Sequence, residues 1–431
     1  MDLESLHRRH VEQLSGKTAA ALEKTGYAAL LLHSGTPLKR TGADDQYWSL
    51  RVTPHFHHWL PLQESGSSLL IVPGRRPRLF RPDEQSIWEA PVPPESDHFW
   101  GAFEVSRGAP VLPQGRIAFV GDDLRAAEAL GIEALAVNPP ALLRELDQLR
   151  VRKTPYEIEC LAEANRRAAR GHRELRQLFQ GAERSELELH LAFLGTTLQD
   201  DAETPYKNIV ALGKHAATLH HIAYGKKAQP AQSLLVDAGA GFAGYGSDIT
   251  RTWVKGGGAA ASAFAGLVEG LEAMQQRLCG MVRVGLDYEE LHDESHRLAA
   301  GVLRAVGISR LPADELVSSG VTRAFYPHGL GHSLGLQTHD VGCALRPPRK
   351  VNPYLRNTTH VAQDQVFTIE PGIYFIEALL RPLRHSPDID WKLVDALAAL
   401  GGVRIEDDIV VQANGIRNLT REVLPQGGGA I

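Results

Sequence analysis

Asp237, Asp248, His332, Glu370 and Glu406 are four carboxylates and one imidazole, each set in a short apolar or glycine-rich stretch of the C-terminal half. An ionised carboxylate without a partner in apolar surroundings is so costly that it takes up a proton or attracts a cation. Four such acids converging from strand positions with one histidine point to a hydrolytic centre for two divalent cations, which would neutralise all four. Taken singly, each acid reads as a cap or a surface residue. Only their combination with a histidine in the same half reverses that reading.

The elements that must position these groups can be read from the pattern. Leu234 to Asp237 is an apolar strand, a glycine-rich reversal follows, and Asp248 to Trp253 alternates like a second strand, so two carboxylates should meet across a hairpin. Gly239, Gly241 and Gly244 also spell GxGxxG, but Tyr245 to Val254 is strand-like where a dinucleotide fingerprint requires a helix, which disfavours a nucleotide site. Val366 to Ile369 is an apolar strand that ends at Glu370 before Pro371-Gly372. In Val403 to Glu406 a two-residue period puts Arg404 and Glu406 on one face. His328, His332 and His339 fall in a glycine-rich turn region, where a compliant backbone lets imidazoles converge.

Other histidines carry less. His220 and His221 precede the Asp237 strand, and His221 reads as structural. His292 and His296 have helical spacing, but the glutamate between them is one place off HExxH, so a solvated helix face is expected. His55, His57 and His58 have no neighbouring acid or cysteine cluster and are expected on a loop or strand surface. No GxSxG serine motif is present.

At 431 residues the chain is long for a single core, and about 150 residues per domain suggests two or three domains. A helical pattern from Glu12 to about Lys24, then strand-like runs at Tyr27 to His33, Ser68 to Val72 and Arg116 to Val120, predict an α/β N-terminal domain. Thr154-Pro155-Tyr156-Glu157 is a helix start, and the helix should run to near Gly181. The boundary is therefore expected at about Arg152, giving domains 1–152 and 153–431. Ser185 to Glu188 is a second capping box, and alternating strands and helices then predict an α+β C-terminal domain.

Composition excludes several classes. The formal charge of −5 argues against a general affinity for nucleic acid. The apolar run Tyr27 to Leu32 is far short of the ~20 residues that span a bilayer, and the N-terminus lacks an apolar signal core, so no membrane partner and a cytoplasmic location are expected. Cys160, Cys279 and Cys343 are isolated, which excludes a thiolate zinc site and a disulfide framework. They are expected to be small packed side chains.

The segments LLVDAGAGFAGYGSDITRTW, YPHGLGHSLGLQTHDVG, VFTIEPGIYFIEALL and GGVRIEDD, with HSGTPLKRTGADD near the N-terminus, resemble the signature blocks of the pita-bread metallopeptidases, in particular the bacterial-type prolidase (Xaa-Pro dipeptidase) subfamily. The likeness covers most of the chain. It implies a creatinase/prolidase-type α/β N-terminal domain and an α+β pita-bread catalytic domain. It also implies that Asp237 binds one metal, that His332 and Glu370 complete the second, and that Asp248 and Glu406 bridge. Oxygen-rich coordination with one imidazole suits two Mn²⁺ per subunit, with Co²⁺, Zn²⁺ or Fe²⁺ able to occupy the same shell. Ions ~3.5–4 Å apart would acidify a bridging water to hydroxide, so no serine or cysteine nucleophile is required.

By the same resemblance, Glu370 would pass the water's proton to the leaving prolyl nitrogen, and His220 and His339 would stabilise the tetrahedral diolate. His328 would stand behind them. Arg356 would bind the free carboxylate of a dipeptide substrate, Arg404 would be a second active-site arginine, and Tyr206 would line the substrate pocket. A homodimer is implied, with the loop carrying Asp44 and Asp45 directed toward the partner's site. The expected reaction is hydrolysis of Xaa-Pro dipeptides, with organophosphate triesters as a side activity. The alternatives are aminopeptidase P acting on longer Xaa-Pro peptides, or a non-catalytic binding module on the same fold.

Overall fold

The computed structural model describes residues 2–83 and 93–431 and divides them into two compact units, Met1–Glu159 and Cys160–Ile431. In the first, the helix Leu3–Thr25 starts well before the predicted Glu12, because Asp2 caps it by accepting the Ser5 amide and His7, His10 and Val11 already face the core. Its sheet runs in the order Glu104–Arg107, Arg78–Arg81, Ser68–Ile71, Ala29–His33, Ile117–Val120. The last two strands pair in parallel and are wholly buried, as continuous apolar runs require.

The histidines at 55–58 are not on a loop or strand surface. Pro54–His57 is a short helical turn whose Phe56 packs into the core, and His58 is drawn in with it. The acids that partner His55 and His58 come from distant sequence. His55 Nε2 lies 3.0 Å from Asp147 Oδ1, and His58 Nε2 lies 3.4 Å from Glu157 Oε1. Local inspection of the sequence has no access to such pairs.

The helix Pro155–Gln180 begins as its capping residues predict: the Thr154 amide donates to Glu157 Oε2 at 2.8 Å. The second capping box is also formed, Ser185 and Glu188 each accepting from the other's backbone, and it opens the helix Glu186–Thr197. In the second unit a four-stranded sheet runs Gly428–Ala430, Thr250–Val254, Ser233–Asp237, Ile209–Leu212. Val366–Ile369 pairs with Asp407–Val411, and Gly372–Tyr374 with Gly402–Arg404. The helices Ala259–Met281 and Tyr288–Ala305 contribute buried faces to the largest apolar core.

His292 and His296 belong to that core and not to a solvated face, at 3% and 2% exposure. The helical stripe that buries Leu291, Ala299 and Leu303 carries both histidines, and the His296 ring lies 4.9 Å from the Tyr326 ring. All three cysteines are buried, as small packed side chains should be, and none forms a disulfide among the described residues. No helix among the described residues is long and apolar enough to cross a membrane.

Candidate metal centre

The predicted hairpin forms. Asp237 ends its strand opposite Thr250, and the ladder continues through the Ala238 amide to the Ile249 carbonyl at 3.0 Å, so Asp248 sits two residues beyond Asp237's partner. Glu406 reaches the same place by backbone pairing, its amide donating to the Thr250 carbonyl at 3.1 Å. Thr250 Oγ1 then donates to Glu406 Oε2 at 2.6 Å and accepts from Arg404 Nε at 3.1 Å. The common face predicted for Arg404 and Glu406 is realised on one hydroxyl.

His332 is positioned by main chain. Its amide donates to Thr368 Oγ1 at 3.1 Å, its carbonyl accepts the Thr368 amide at 3.0 Å, and the Glu370 amide donates to the Leu330 carbonyl at 2.8 Å. Gly331 lies between these bonds, and a Cβ on it would fall 2.1 Å from the Thr368 carbonyl oxygen. Only glycine lets the two segments close so far. As a result, His332 Nε2 lies 3.4 Å from Asp248 Oδ2 and 3.5 Å from Glu370 Oε1.

Asp248, His332 and Glu406 each offer a ligand atom, all within 4.8 Å of one another. Asp237 is held at both oxygens, by Tyr206 Oη at 2.7 Å and Arg404 Nη2 at 2.6 Å. Burial and the nearby acids keep the Tyr206 phenol protonated, so it donates. Arg404 is 4% exposed and also donates to Tyr374 Oη at 2.8 Å. His328 Nε2 lies 2.9 Å from that hydroxyl, and its Nδ1 is 3.8 Å from Glu370 Oε2. His339 packs edge-on to His332, ring centres 4.4 Å apart, at the exposed rim. His220 and Arg356 are exposed, and both are close enough to act electrostatically on His339.

Burial and mutual repulsion push the carboxyls of Asp248, Glu370 and Glu406 above the ordinary range. Burial alone would lower the pKa of His332, yet its contact with Asp248 and the charge of Glu370 raise it. Every one of these displacements favours positive charge among the oxygens, which protons or a cation can supply. A mostly oxygen donor set with one imidazole fits divalent metal, and two cations would balance the four acids.

Comparison with known proteins agrees with this geometry. Residues 159–413 match the model of metallopeptidase family M24. The chain belongs to that family. Residues 5–148 match the Xaa-Pro dipeptidase N-terminal domain, so both predicted domain types, the α/β N-terminal domain and the pita-bread catalytic domain, are present. Full-length relatives include the Xaa-Pro dipeptidases of Marinobacter nauticus, 42% identical over 98% of this chain and 99% of the relative, and of Pseudoalteromonas haloplanktis, 38% identical over 97% and 98%. Among solved structures, proline aminopeptidase P II from Yersinia pestis superposes with a TM-score of 0.73 at 21% identity over 97% of both chains. Aminopeptidase P from E. coli with the inhibitor Pro-Leu gives 0.71 at 21% identity over 96% and 95%. Both share this fold.

Sequence reading missed Tyr374, Thr250 and Thr368. The threonines follow acids by two residues or precede them by two, the period that puts side chains on one strand face. That spacing was the available signal, although nothing local distinguishes these hydroxyls from ordinary strand threonines.

Proposed function

We propose that this M24 metallopeptidase hydrolyses Xaa-Pro dipeptides at the centre formed by Asp237, Asp248, His332, Glu370 and Glu406. The observation that carries the reading is the convergence of buried acids on His332. The N-terminal domain type and the full-length similarity to Xaa-Pro dipeptidases favour a dipeptidase over aminopeptidase P. Two divalent cations, Mn²⁺ by the oxygen-rich donor set, would supply Lewis acidity toward the scissile carbonyl and acidify a water.

The chain's own groups do the rest. Glu370 takes the water's proton and delivers it to the prolyl nitrogen, which as a tertiary amide must be protonated to leave. His220 and His339 donate to the oxygen that gains charge, and His328, between Glu370 and Tyr374, keeps that side of the pocket in order. Tyr206 and Arg404 fix Asp237 from two directions. Arg356, at the exposed rim, presents its guanidinium to the free carboxylate of the substrate's proline. A tetrahedral phosphorus resembles the same diolate, so slow hydrolysis of organophosphate triesters belongs to this reading, as does a homodimer.

Steady-state kinetics with Gly-Pro, Gly-Pro-Ala and Gly-Pro-amide under defined Mn²⁺, Co²⁺ and Zn²⁺ test the proposal. Preference for Gly-Pro is expected. Faster cleavage of the tripeptide would establish aminopeptidase P chemistry instead, and absence of both hydrolysis and bound metal after reconstitution would establish a binding module. Arg356→Ala should narrow the gap between Gly-Pro and its amide, and an unchanged ratio would remove Arg356 from the carboxylate site.

A further inference from the structure

Glu186 is the first residue of the helix Glu186–Thr197, and its carboxylate is fully buried. Four donors converge on it. Oε1 accepts the Leu212 amide at 2.9 Å and His215 Nδ1 at 2.7 Å, and Oε2 accepts the Gly225 amide at 2.7 Å and His221 Nε2 at 2.9 Å. The two imidazoles stack on each other with ring centres 4.6 Å apart. At Gly225 a Cβ would lie 3.3 Å from Oε2, so the bare backbone is what brings that amide so close.

All four donors belong to one stretch of chain, 212–225, which leaves the strand Ile209–Leu212 and carries His220. The amides of Leu212 and Gly225 fix the two ends of the loop, while His215 and His221 tie its interior. His221 is the covalent neighbour of His220, so the tie lies one residue from the proposed oxyanion donor. Burial pushes the Glu186 pKa up, but the two amides and two imidazoles outweigh it and keep the group ionised, as does its place at a helix N-terminus. His215, His221 and Glu186 also have the spacing of a cation site. Both carboxylate oxygens are nevertheless already satisfied by amide and imidazole donors, which favours a clamp.

We propose that Glu186 is a positioning residue: it staples the 212–225 loop so that His220 faces the metal centre, and it acts on the reaction only through that histidine. This rests on the reading of His220 as an oxyanion donor. His220 is near enough to His328 and His339 for its charge to act on both.

The test is a double-mutant cycle in the full-length, metal-loaded protein with Gly-Pro as substrate: Glu186→Gln, His220→Ala and the two combined, with metal content measured for each. Gln keeps the size but turns one acceptor into a donor. Glu186→Gln should lower kcat about tenfold to a hundredfold, no more than the 10²–10³ that the oxyanion donor itself is worth, with little change in KM or metal content. In the His220→Ala background the same substitution should change kcat by less than about twofold, the mark of two residues acting as a unit. An equal loss in both backgrounds, no loss in either, or a loss explained by missing metal overturns the proposal while leaving His220 catalytic. If His220→Ala alone leaves kcat intact, the oxyanion reading fails and takes the clamp with it. Should Glu186→Gln not fold, His215→Gln at the more exposed imidazole replaces it, and its effect must vanish in the same background.

Discussion

Tyr374 Oη stands between Arg404 and His328, so one phenol links the arginine on Asp237 to the imidazole beside Glu370. Tyr374→Phe leaves Arg404 with one donor unpaired in a buried place. A hydrogen bond to a charged group is worth about 1.5–3 kcal/mol, so kcat should fall roughly tenfold or more, with Gly-Pro kinetics as the measure. Arg404→Ala removes a buried partner of Asp237 and should weaken metal binding as well, which titration with Mn²⁺ would detect. Asp248→Asn removes a carboxylate shared with His332 and should cost orders of magnitude in rate, so near-normal turnover with full metal content would refute its place in the centre. The acids and His332 were legible because ionisable groups in apolar settings are conspicuous. Tyr374 and Thr250 were not, because an aromatic or a threonine in a strand is unremarkable until its partner from another strand is known.

The helix Tyr288–Ala305 shows what element-scale patterning can and cannot tell. Its capped start and apolar spacing are plain in the chain, yet the spacing of His292 and His296 suits a solvated face as well as a buried one, and the decision lies with Tyr326 from another segment. Burial lowers the pKa of His292 from 6.5 to about 4 and that of His296 further. In the unfolded chain both take up protons near pH 6.5, whereas the folded chain resists. Their contribution to stability is therefore complete above pH 6.5 and declines as pH falls toward the folded value. At pH 5 the loss from His292 alone should be on the order of 2 kcal/mol. His292→Leu should flatten the acid side of the stability profile, which urea midpoints at pH 8 and pH 5 would reveal; equal shifts in wild type and variant would contradict the argument. The Gly331 turn gives a second element-scale expectation. With a Cβ 2.1 Å from the Thr368 carbonyl, Gly331→Ala must part the two segments, costing on the order of 1–3 kcal/mol and displacing His332, with metal content as the readout.

At the scale of the whole molecule, the acids of the centre come from strand pairs far apart in the chain of the Cys160–Ile431 unit, Asp237 and Asp248 from one hairpin and Glu370 and Glu406 from the later pairs, which meet the hairpin at the Thr250–Glu406 bridge. A bound cation therefore crosslinks strands. Mn²⁺ at a hundred times its Kd would add about 2.7 kcal/mol to stability. Hydrogen exchange should accordingly slow at Ser233–Asp237 and Val366–Ile369 on metal addition and recover on chelation, with Ala29–His33 of the other unit unchanged. Strands that slow equally in both units would argue against local crosslinking. The α/β and α+β classes of the two domains were legible because apolar strand runs and capped helices carry strong patterns, whereas the pita-bread type was implied only by the resemblance of the signature blocks. The route by which the hairpin, the glycine-rich turn and the late strands meet depends on sheet order, which spacing along the chain does not encode.

The manner in which His332 is seated sets terms for any attempt to transplant this centre onto another scaffold. Asp237 is a side chain at the end of a strand and could be copied by itself. The imidazole could not, since its address is written in peptide groups that interlock two stretches, Leu330–Ser333 and Val366–Glu370, at a separation tolerated by a single residue type. A designer would have to move both stretches as one piece, and a library that varied only the ligands would never recover the geometry.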